Sequence, residues 1–144
     1  MREHRHVGVY GIIIYDGKIL LTKKSRGAYT GRFDLPGGGL EHGENILDCL
    51  AREIKEETGL KIACSNLHDV YSYNVRWNDL DEVEDLHHVG IIYDVDVADF
   101  ESLRLTGDGE DVLSVCWKNI DEVDKEHLSP FAYRIIKELS CVKK

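Results

Sequence analysis

The sequence predicts an α+β fold in which a mixed β-sheet carries helices packed against it. Short segments rich in β-branched and aromatic residues lie on both sides of an amphipathic helix at residues 45–58. A second amphipathic helix, with Ser129 as its N-cap and Pro130 in its first turn, runs to about Cys141. The resulting order of hairpin, loop, helix, strands and helix is typical of a mixed sheet. The 144 residues contain no repeat or linker, so we expect one domain over residues 1–144.

The first third of the chain predicts a β-hairpin followed by a loop. Residues 7–15 are rich in β-branched and aromatic types, Asp16-Gly17 supplies a turn, and residues 18–23 form the returning strand. Residues 25–34 are interpreted as a loop. Residues 35–39 include three consecutive glycines, which argues against the interior of a regular element and allows a ligand to approach the backbone closely.

The central helix has recognisable ends. Asn45 is a suitable N-cap, and Gly59 suits the position just after the last turn. Its apolar stripe is predicted from helical spacing and consists of Leu47, Leu50 and Ile54.

Three further strands are predicted after the central helix. They cover residues 61–77, 86–97 and 112–117. The acidic stretch between the first two, around residues 78–85, is interpreted as a solvated mobile loop rather than a metal site.

The overall charge restricts the ligands. With 27 acidic and 18 basic residues the net charge is −9, which disfavours long nucleic acids and anionic membranes as partners. A small phosphate-bearing ligand stays compatible if metal ions mediate its binding. We expect a small nucleotide as the partner, and a monomer or homodimer.

The chain has no features of export or membrane insertion. Its longest mainly apolar run covers nine residues, whereas a bilayer span needs about twenty. The first six residues lack the apolar stretch of a signal peptide, and the four cysteines contain no CxxC pair. We therefore expect a cytoplasmic protein without a zinc site or a disulfide framework.

The central helix carries three glutamates, Glu53, Glu56 and Glu57, within about 100° of arc. Like charges at these spacings repel each other, and a solvated acidic face is the ordinary explanation for such a pattern. Here the acidic face adjoins the apolar stripe and follows the glycine loop. Carboxylates in that position suit Mg²⁺ or Mn²⁺, which would relieve the repulsion, so we favour a divalent-cation site.

The spacing of the helix and its approach matches a known motif. It consists of Gly38, five residues, Glu44, seven residues, Arg52-Glu53-Ile54, one residue, Glu56-Glu57, one residue and Gly59-Leu60. The segment resembles the Nudix box at every specified position, and the chain is similar to MutT-like Nudix hydrolases. Flanking segments also resemble the family: Leu20-Leu21-Thr22-Lys23-Lys24, Leu35-Pro36-Gly37, and Trp117 followed by Asp121-Glu122-Val123.

The resemblance implies an α/β/α sandwich with a mixed central sheet. It also implies hydrolysis of a nucleoside diphosphate linked to another moiety, with Mg²⁺ as cofactor and Mn²⁺ as a substitute. Glu56 and Glu57 would be metal ligands, Glu53 a ligand or a partner of one, and the Gly37 carbonyl a further ligand. Arg52 would orient the carboxylates through charge-assisted hydrogen bonds.

Further residues are candidates for catalysis, substrate binding and base stacking. Glu44 would hold the loop–helix junction or join an outer metal shell. The general base is either a box glutamate or an acid of a late loop, for which Glu110 is the candidate beside Asp111. An acidic surface loop is the alternative interpretation of that segment. The candidates for substrate binding are Lys23, Lys24, Arg32, Phe33 and Gly38. The candidates for base stacking are Tyr29, Phe33, Tyr71, Tyr73 and Trp77.

The substrate is assigned by elimination. Enzymes of this family that are specific for ADP-ribose often carry a proline about fifteen residues after the box, where this chain has Val75-Arg76. The motif of coenzyme A-specific members is matched only in part. A (d)NTP or related small nucleotide is therefore the default, with NDP-sugars and dinucleoside polyphosphates as alternatives.

Two other classes compete with an enzyme. One is a non-catalytic nucleotide sensor, and the other is a domain that a cation stabilises without turnover. All three box glutamates are present, which favours the hydrolase.

Overall fold

The computed structural model describes residues 1–122 and 124–142. Val123, which belongs to one of the flanking segments noted above, lies outside the described residues. The elements in chain order are β1 (Arg2–Ile12), β2 (Ile14–Tyr15), β3 (Lys18–Lys24), β4 (Phe33–Asp34), β5 (Gly37–Gly39), α1 (Ile46–Thr58), β6 (Ile62–Asp79), β7 (Glu82–Val97), β8 (Val112–Asn119) and α2 (Pro130–Val142). Two 3₁₀ turns, Ile120–Glu122 and Lys125–His127, precede α2.

The strands form a mixed sheet and an antiparallel sheet. The mixed sheet has the order β5-β1-β7-β6, in which β1 and β7 run parallel and the other neighbours antiparallel. In the second sheet β3 pairs with β8 along its length and with β2 and β4 at its two ends. The prediction of an α+β fold with a mixed sheet is confirmed, and the strands are divided between two sheets.

The helices cover opposite faces of these sheets. Tyr10 and Ile12 of β1 belong to the apolar cluster that contains Phe131 of α2. Val9 of β1 and Ile13, which follows the strand, belong to the cluster that contains Ile54 of α1. A strand buried on both faces in this way lies in the middle layer of an α/β/α sandwich.

The ends of α1 follow the prediction, and its apolar stripe does so only in part. The Asn45 side chain accepts a hydrogen bond from the Leu47 N–H, and Gly59 has a φ of 83°. Leu50 is fully buried, but Leu47 is 52% exposed, so its assignment to the stripe is wrong. Cys49 is buried there instead, because it faces the glycine strand β5.

The three consecutive glycines form a strand, so the prediction that they lie outside regular structure is wrong. Gly37 to Gly39 pair antiparallel with residues of β1. A Cβ at Gly37 would lie 2.2 Å from the Val9 carbonyl oxygen, and Gly37 has a φ of 144°. The missing side chains therefore let this edge strand approach β1 closely.

The long hairpin β6–β7 replaces the predicted acidic loop. Pairing continues to Asp79 and Glu82, so that Leu80 and Asp81 form the turn. Glu84 is buried and forms an ion pair with Arg2 at 3.2 Å, which the parallel neighbour β1 supplies. The prediction of a loop is wrong because strand pairing continues through this stretch, where ion pairs also hold Glu84 and Asp85.

Other boundaries differ less. The turn at Asp16-Gly17 has φ angles of 53° and 73°, as a two-residue hairpin turn requires. Strand β1 begins at Arg2, earlier than predicted, and Phe33 and Asp34 of the predicted loop pair with β3. Ser129 caps α2 by accepting a hydrogen bond from the Ala132 N–H at 3.2 Å.

Among the described residues, no helix has the length and apolar character needed to cross a bilayer.

Candidate active site

The last turn of α1 buries a carboxylate. Glu57 is 2% exposed, and its Oε1 accepts a hydrogen bond of 2.8 Å from the Gly37 N–H. Burial raises the pKa of Glu57 well above its ordinary value, although the Gly37 bond and the charge of Lys24 act in the opposite direction. A buried carboxyl group of this kind is stabilised by either a proton or a cation.

Arg52 organises the other acidic residues of the helix. Its Nε and Nη2 donate to Glu44 at 2.8 and 2.9 Å, and its Nη1 donates to Glu53 at 2.8 Å. Nη2 also donates to the Gly39 carbonyl at 3.2 Å. The bond to Arg52, followed by that from the Glu41 N–H, lowers the pKa of Glu44 to about 2. One guanidinium therefore links the glycine strand, the loop before α1 and the acidic face of α1.

Glu53 lies directly against the second glycine of the strand. A Cβ on Gly38 would be 2.5 Å from Glu53 Oε2, so a larger residue would displace the carboxylate. Burial raises the pKa of Glu53, while the bond from Arg52 lowers it. Gly38 therefore makes room for the Glu53 carboxylate against β5.

Glu53 and Glu57 line one end of a cleft of about 600 Å³. Gly37, Gly38 and Lys24 belong to the same lining. The lining continues across β1 and β7 to His6 and His88 and to the loop residue Tyr29. The cleft thus has one end rich in carboxylates and another rich in aromatic and imidazole groups.

His88 forms a hydrogen-bonded group with two tyrosines at that second end. Its Nε2 lies 2.7 Å from the Tyr10 hydroxyl and its Nδ1 lies 2.8 Å from the Tyr29 hydroxyl. Burial, assisted by the charges of His6 and Lys24, lowers the pKa of His88 to about 3. The imidazole is therefore neutral at physiological pH, so one tyrosine donates to it and the other accepts from it.

Asp34 adds a second buried carboxylate to the lining of the cleft. Its Oδ1 accepts hydrogen bonds from the Ser129 hydroxyl at 2.5 Å and from the Leu35 N–H at 2.8 Å. The same Ser129 hydroxyl caps α2, so this bond ties the start of the helix to the wall of the cleft.

Comparison with known proteins identifies the fold and the motif. A family model described as the NUDIX domain matches residues 4–139. The chain belongs to the NUDIX domain family.

Two curated relatives match parts of this NUDIX chain. It is 49% identical over 69 residues to an ADP-ribose pyrophosphatase of Methanocaldococcus jannaschii, over 48% of this chain and 41% of that protein. It is 36% identical over 88 residues to the nucleoside triphosphatase NudI of Escherichia fergusonii, over 58% of this chain and 62% of that protein. The chain therefore spans less than two thirds of either relative.

Solved NUDIX structures match nearly the whole chain. A MutT NUDIX hydrolase from Burkholderia pseudomallei superposes with a TM-score of 0.73 at 26% identity, covering 94% of this chain and 97% of that one. The NUDIX domain of Shewanella oneidensis NrtR, solved with ADP ribose, superposes with a TM-score of 0.63 at 15% identity, covering 98% of this chain and 90% of that one. The second likeness concerns the fold alone.

The structure brings some of the sequence-predicted site residues together. Glu53, Glu57, Gly37, Gly38 and Lys24 all line the cleft. Arg52 and Glu44 lie behind this set and fix Glu53 and the glycine strand.

Other candidates lie elsewhere. The described lining of the cleft does not include Lys23, Arg32, Phe33, Glu56 or Glu110. The Lys23 ammonium lies 6.0 Å from the centre of the Phe33 ring, and Arg32 lines a separate groove. The Glu56 side chain is 56% exposed and 3.5 Å from Arg52. In the late loop Asp111 lines the cleft and forms an ion pair with Arg26, whereas Glu110 faces a neighbouring hollow.

The acidic end of the cleft can be tested for its fit to a divalent cation. Within residues 1–122 and 124–142, no three His, Cys, Asp or Glu side chains form a preassembled ligand set. The buried Glu57 carboxylate, the neighbouring Glu53 carboxylate and the Gly37 backbone nevertheless offer only oxygen ligands beside open cleft. Oxygen donors and solvent access suit Mg²⁺ or Mn²⁺, which retain waters and share phosphate oxygens. The residues therefore fit such an ion, with Glu53 and Glu57 as its nearest candidates.

Sequence reasoning missed His88, Tyr10 and Asp34. They come from three strands, and their contacts depend on pairing between segments far apart in the chain. No spacing in the sequence indicates that Tyr10 and His88 meet, because the pairing of β1 with β7 joins them.

Proposed function

We propose that this protein is a divalent-cation-dependent hydrolase that cleaves the pyrophosphate linkage of a small nucleotide. The observation that carries the proposal is the buried Glu57 carboxylate, bonded to Gly37 and placed beside Glu53 in an open cleft. A sensor or a cation-stabilised domain could use the same carboxylate, so turnover is the property that distinguishes the hydrolase from them. Family membership and the activities for which the two relatives are named support the same reaction class.

The two ends of the cleft divide the work of binding. The phosphate chain lies at the end formed by Gly37, Gly38, Glu53 and Glu57, where Lys24 adds a positive charge. Glycine backbone in this wall lets phosphate oxygens come close to N–H groups. The nucleoside lies against the part of the lining that contains the exposed imidazole of His6. The neighbouring His88 group is buried, and its two tyrosine hydroxyls are bonded to the imidazole, so it supports this wall of the cleft.

The reaction needs charge neutralisation and a water molecule in line with phosphorus. Mg²⁺ held by Glu53 and Glu57 with the Gly37 carbonyl would supply Lewis-acid chemistry and neutralise phosphate charge. Glu56 lies outside the described cleft lining and is left out of this ligand set. Arg52 keeps Glu53 in place, and Glu44 holds Arg52 from behind. Lys24 stabilises negative charge that develops on the phosphate oxygens.

We assign the general base to the box carboxylate Glu53 rather than to Glu110. Glu53 lines the cleft, whereas Glu110 belongs to the lining of a neighbouring hollow. A base must lie within hydrogen-bond reach of the water it activates, directly or through one other water.

We propose a (d)NTP as the substrate class, in agreement with the name of the nucleoside triphosphatase NudI. ADP-ribose is the second candidate, because the relative from Methanocaldococcus jannaschii is named for it and is 49% identical over the matched segment. Both carry a base for the His88 end and a pyrophosphate for the carboxylate end.

The test is a substrate panel assayed with Mg²⁺ and with EDTA. The panel contains dNTPs, NDP-sugars, ADP-ribose, dinucleoside polyphosphates and capped RNA, and products are identified by chromatography. We expect at least one compound to be cleaved with Mg²⁺ and none with EDTA. Binding without turnover on every compound would contradict the proposal in favour of a sensor. Melting stabilised by Mg²⁺ without nucleotide binding would contradict it in favour of a structural domain.

A further inference from the structure

A second concave surface lies on the exposed side of α2. This α2 groove has a volume of about 850 Å³ and is bounded by Arg32, Tyr73, Lys125, Tyr133, Arg134 and Lys137. Its lining shares no residue with the cleft at the NUDIX box. Phe131, which packs against both His88 and Tyr73, belongs to the core between the two sites. The groove is therefore a separate surface feature.

The groove is basic in a chain of net charge −9. Among the described residues of its lining, four are cations and one, Glu138, is acidic. That carboxylate is already engaged, since it accepts from the Tyr71 hydroxyl at 2.5 Å and lies 3.0 Å from His68 Nε2. Glu138 therefore does not neutralise the other cations of the groove, Arg32, Lys125 and Lys137.

Three of the four cations have no counter-ion among the described residues. Arg32, Lys125 and Lys137 form no ion pair there, and only Arg134 reaches a carboxylate, Glu138, at 3.4 Å. The Lys125 and Lys137 ammonium groups lie 5.1 and 5.9 Å from the centre of the same Tyr133 ring. Both ammonium groups therefore lie near one aromatic ring without a carboxylate partner among the described residues, and a bound anion would neutralise them.

The rest of the lining is apolar or aromatic. Leu128 and Pro130 form part of it, and Tyr73 and Tyr133 are each half-buried there. An inorganic anion would leave this surface unused, whereas a nucleoside could pack against it. Aromatic side chains beside cations bind bases and phosphates together in single-stranded nucleic-acid sites. The acidic remainder of the chain disfavours a long polyanion, so the ligand is small.

We propose that the α2 groove binds a nucleoside phosphate without a divalent cation, as a second site distinct from the hydrolytic cleft. The phosphates lie between Lys125 and Lys137, with Arg32 at the edge, and the base packs against Tyr73 and the neighbouring apolar residues. The site holds no carboxylates arranged for chemistry, so it binds and does not cleave. This assignment does not depend on the proposed hydrolase activity.

The test measures ADP binding by calorimetry in EDTA, where any metal-dependent binding at the box is abolished. The chain offers a matched pair of variants. K125E/K137E reverses two charges of the groove, and K18E/K61E reverses two exposed lysines elsewhere, so both change the net charge equally. We expect the wild-type protein and K18E/K61E to bind ADP with affinities within about twofold of each other. K125E/K137E should bind at least about tenfold more weakly, which corresponds to 1.4 kcal/mol.

Three outcomes would overturn the proposal. They are no ADP binding in EDTA, equal weakening by the two variants, and binding of inorganic pyrophosphate as tight as that of ADP. Thermal melting checks that both variants fold. Because Lys125 and Lys137 lie outside the cleft, Mg²⁺-dependent turnover by K125E/K137E should stay unchanged. The ADP-binding assay in EDTA therefore tests the groove, and the Mg²⁺-dependent turnover assay tests the hydrolase, independently of each other.

Discussion

Arg52 and Glu44 form a two-point ion pair, with Nε and Nη2 of the guanidinium donating to the two carboxylate oxygens at 2.8 and 2.9 Å. The remaining nitrogen of Arg52 donates to Glu53 at 2.8 Å. Arg52 therefore connects Glu44, in the loop before α1, to Glu53, which lines the cleft.

The hydrogen bonds of Arg52 to Glu44 and Glu53 predict that a lysine cannot replace this arginine. A lysine has one point charge and cannot bond both Glu44 oxygens and Glu53 in this geometry. We expect R52K to lower Mg²⁺-dependent kcat/KM by about 10- to 100-fold, the usual effect of losing a residue that orients metal ligands. The control is R76K, which alters an ion pair of the hairpin. Equal activities of R52K and R76K would contradict the assigned role.

The apolar face of α1 gives a second prediction through a matched pair of leucines. Leu50 is fully buried and Leu47 is 52% exposed. We expect L50A to lower the free energy of unfolding by about 2–5 kcal/mol, because it leaves a cavity. L47A should change it by no more than about 0.5 kcal/mol. Chemical denaturation measures both, and similar losses would show that the packing of α1 is assigned wrongly.

Gly38 is predicted to be required for activity more than for stability. The Cβ of G38A would lie 2.5 Å from Glu53 Oε2, and Arg52 limits where that carboxylate can move. We expect a loss of about 10- to 100-fold in kcat/KM from the misplaced carboxylate. The change in melting temperature should be small, since the clash involves a side-chain end. Full activity of G38A would show that the position of Glu53 is unimportant.

A fourth prediction concerns pH and lies away from the cleft. His68 Nε2 lies 3.0 Å from Glu138 and its Nδ1 lies 3.3 Å from Asp94. Burial lowers the pKa of His68, but the hydrogen bonds with Glu138 and Asp94 outweigh it and raise the pKa above 6.5. Because the folded pKa is raised, this stabilisation is complete below the unfolded pKa and is lost as the pH rises through the folded one.

We therefore expect H68Q to lower the melting temperature by about 2–4 °C at about pH 5.5, from an interaction of about 1 kcal/mol. The decrease should be smaller at about pH 8.5. H87Q, at an exposed histidine of β7, is the control and should show no such difference. A pH-independent effect of H68Q would contradict the charged form of His68.

Local signals in the sequence predicted the parts of the site that depend on neighbouring residues. The Asn45 cap, the Gly59 end and the spacing from Gly38 to Leu60 all act within one helix and its approach, and the structure retains them. The glycine strand could not be predicted in this way, because Gly37 to Gly39 pair with β1, far away in the chain.

The part of the cleft around His88 was harder still to predict from the sequence, because its contacts form only in the tertiary structure. His88 meets Tyr10 through parallel pairing of β1 and β7 and meets Tyr29 from a loop, and no spacing in the sequence joins these three residues. For the same reason Lys23 and Lys24 were equivalent as candidates. Only strand pairing separates them, since Lys24 lines the cleft and Lys23 lies near Phe33.

The central claim is that the buried Glu57 carboxylate holds the cation for hydrolysis. E57Q keeps the shape of the side chain and an oxygen that can accept from the Gly37 N–H, and it replaces the other carboxylate oxygen by an uncharged NH₂ group, which does not bind a cation. E101Q makes the same change at an exposed position. The decisive measurement is Mg²⁺-dependent kcat/KM of both variants on the substrate that the panel identifies, with melting temperatures as a check on folding. We predict that E57Q folds and loses at least about 100-fold in activity, while E101Q matches the wild type. Wild-type turnover by a folded E57Q would contradict the account.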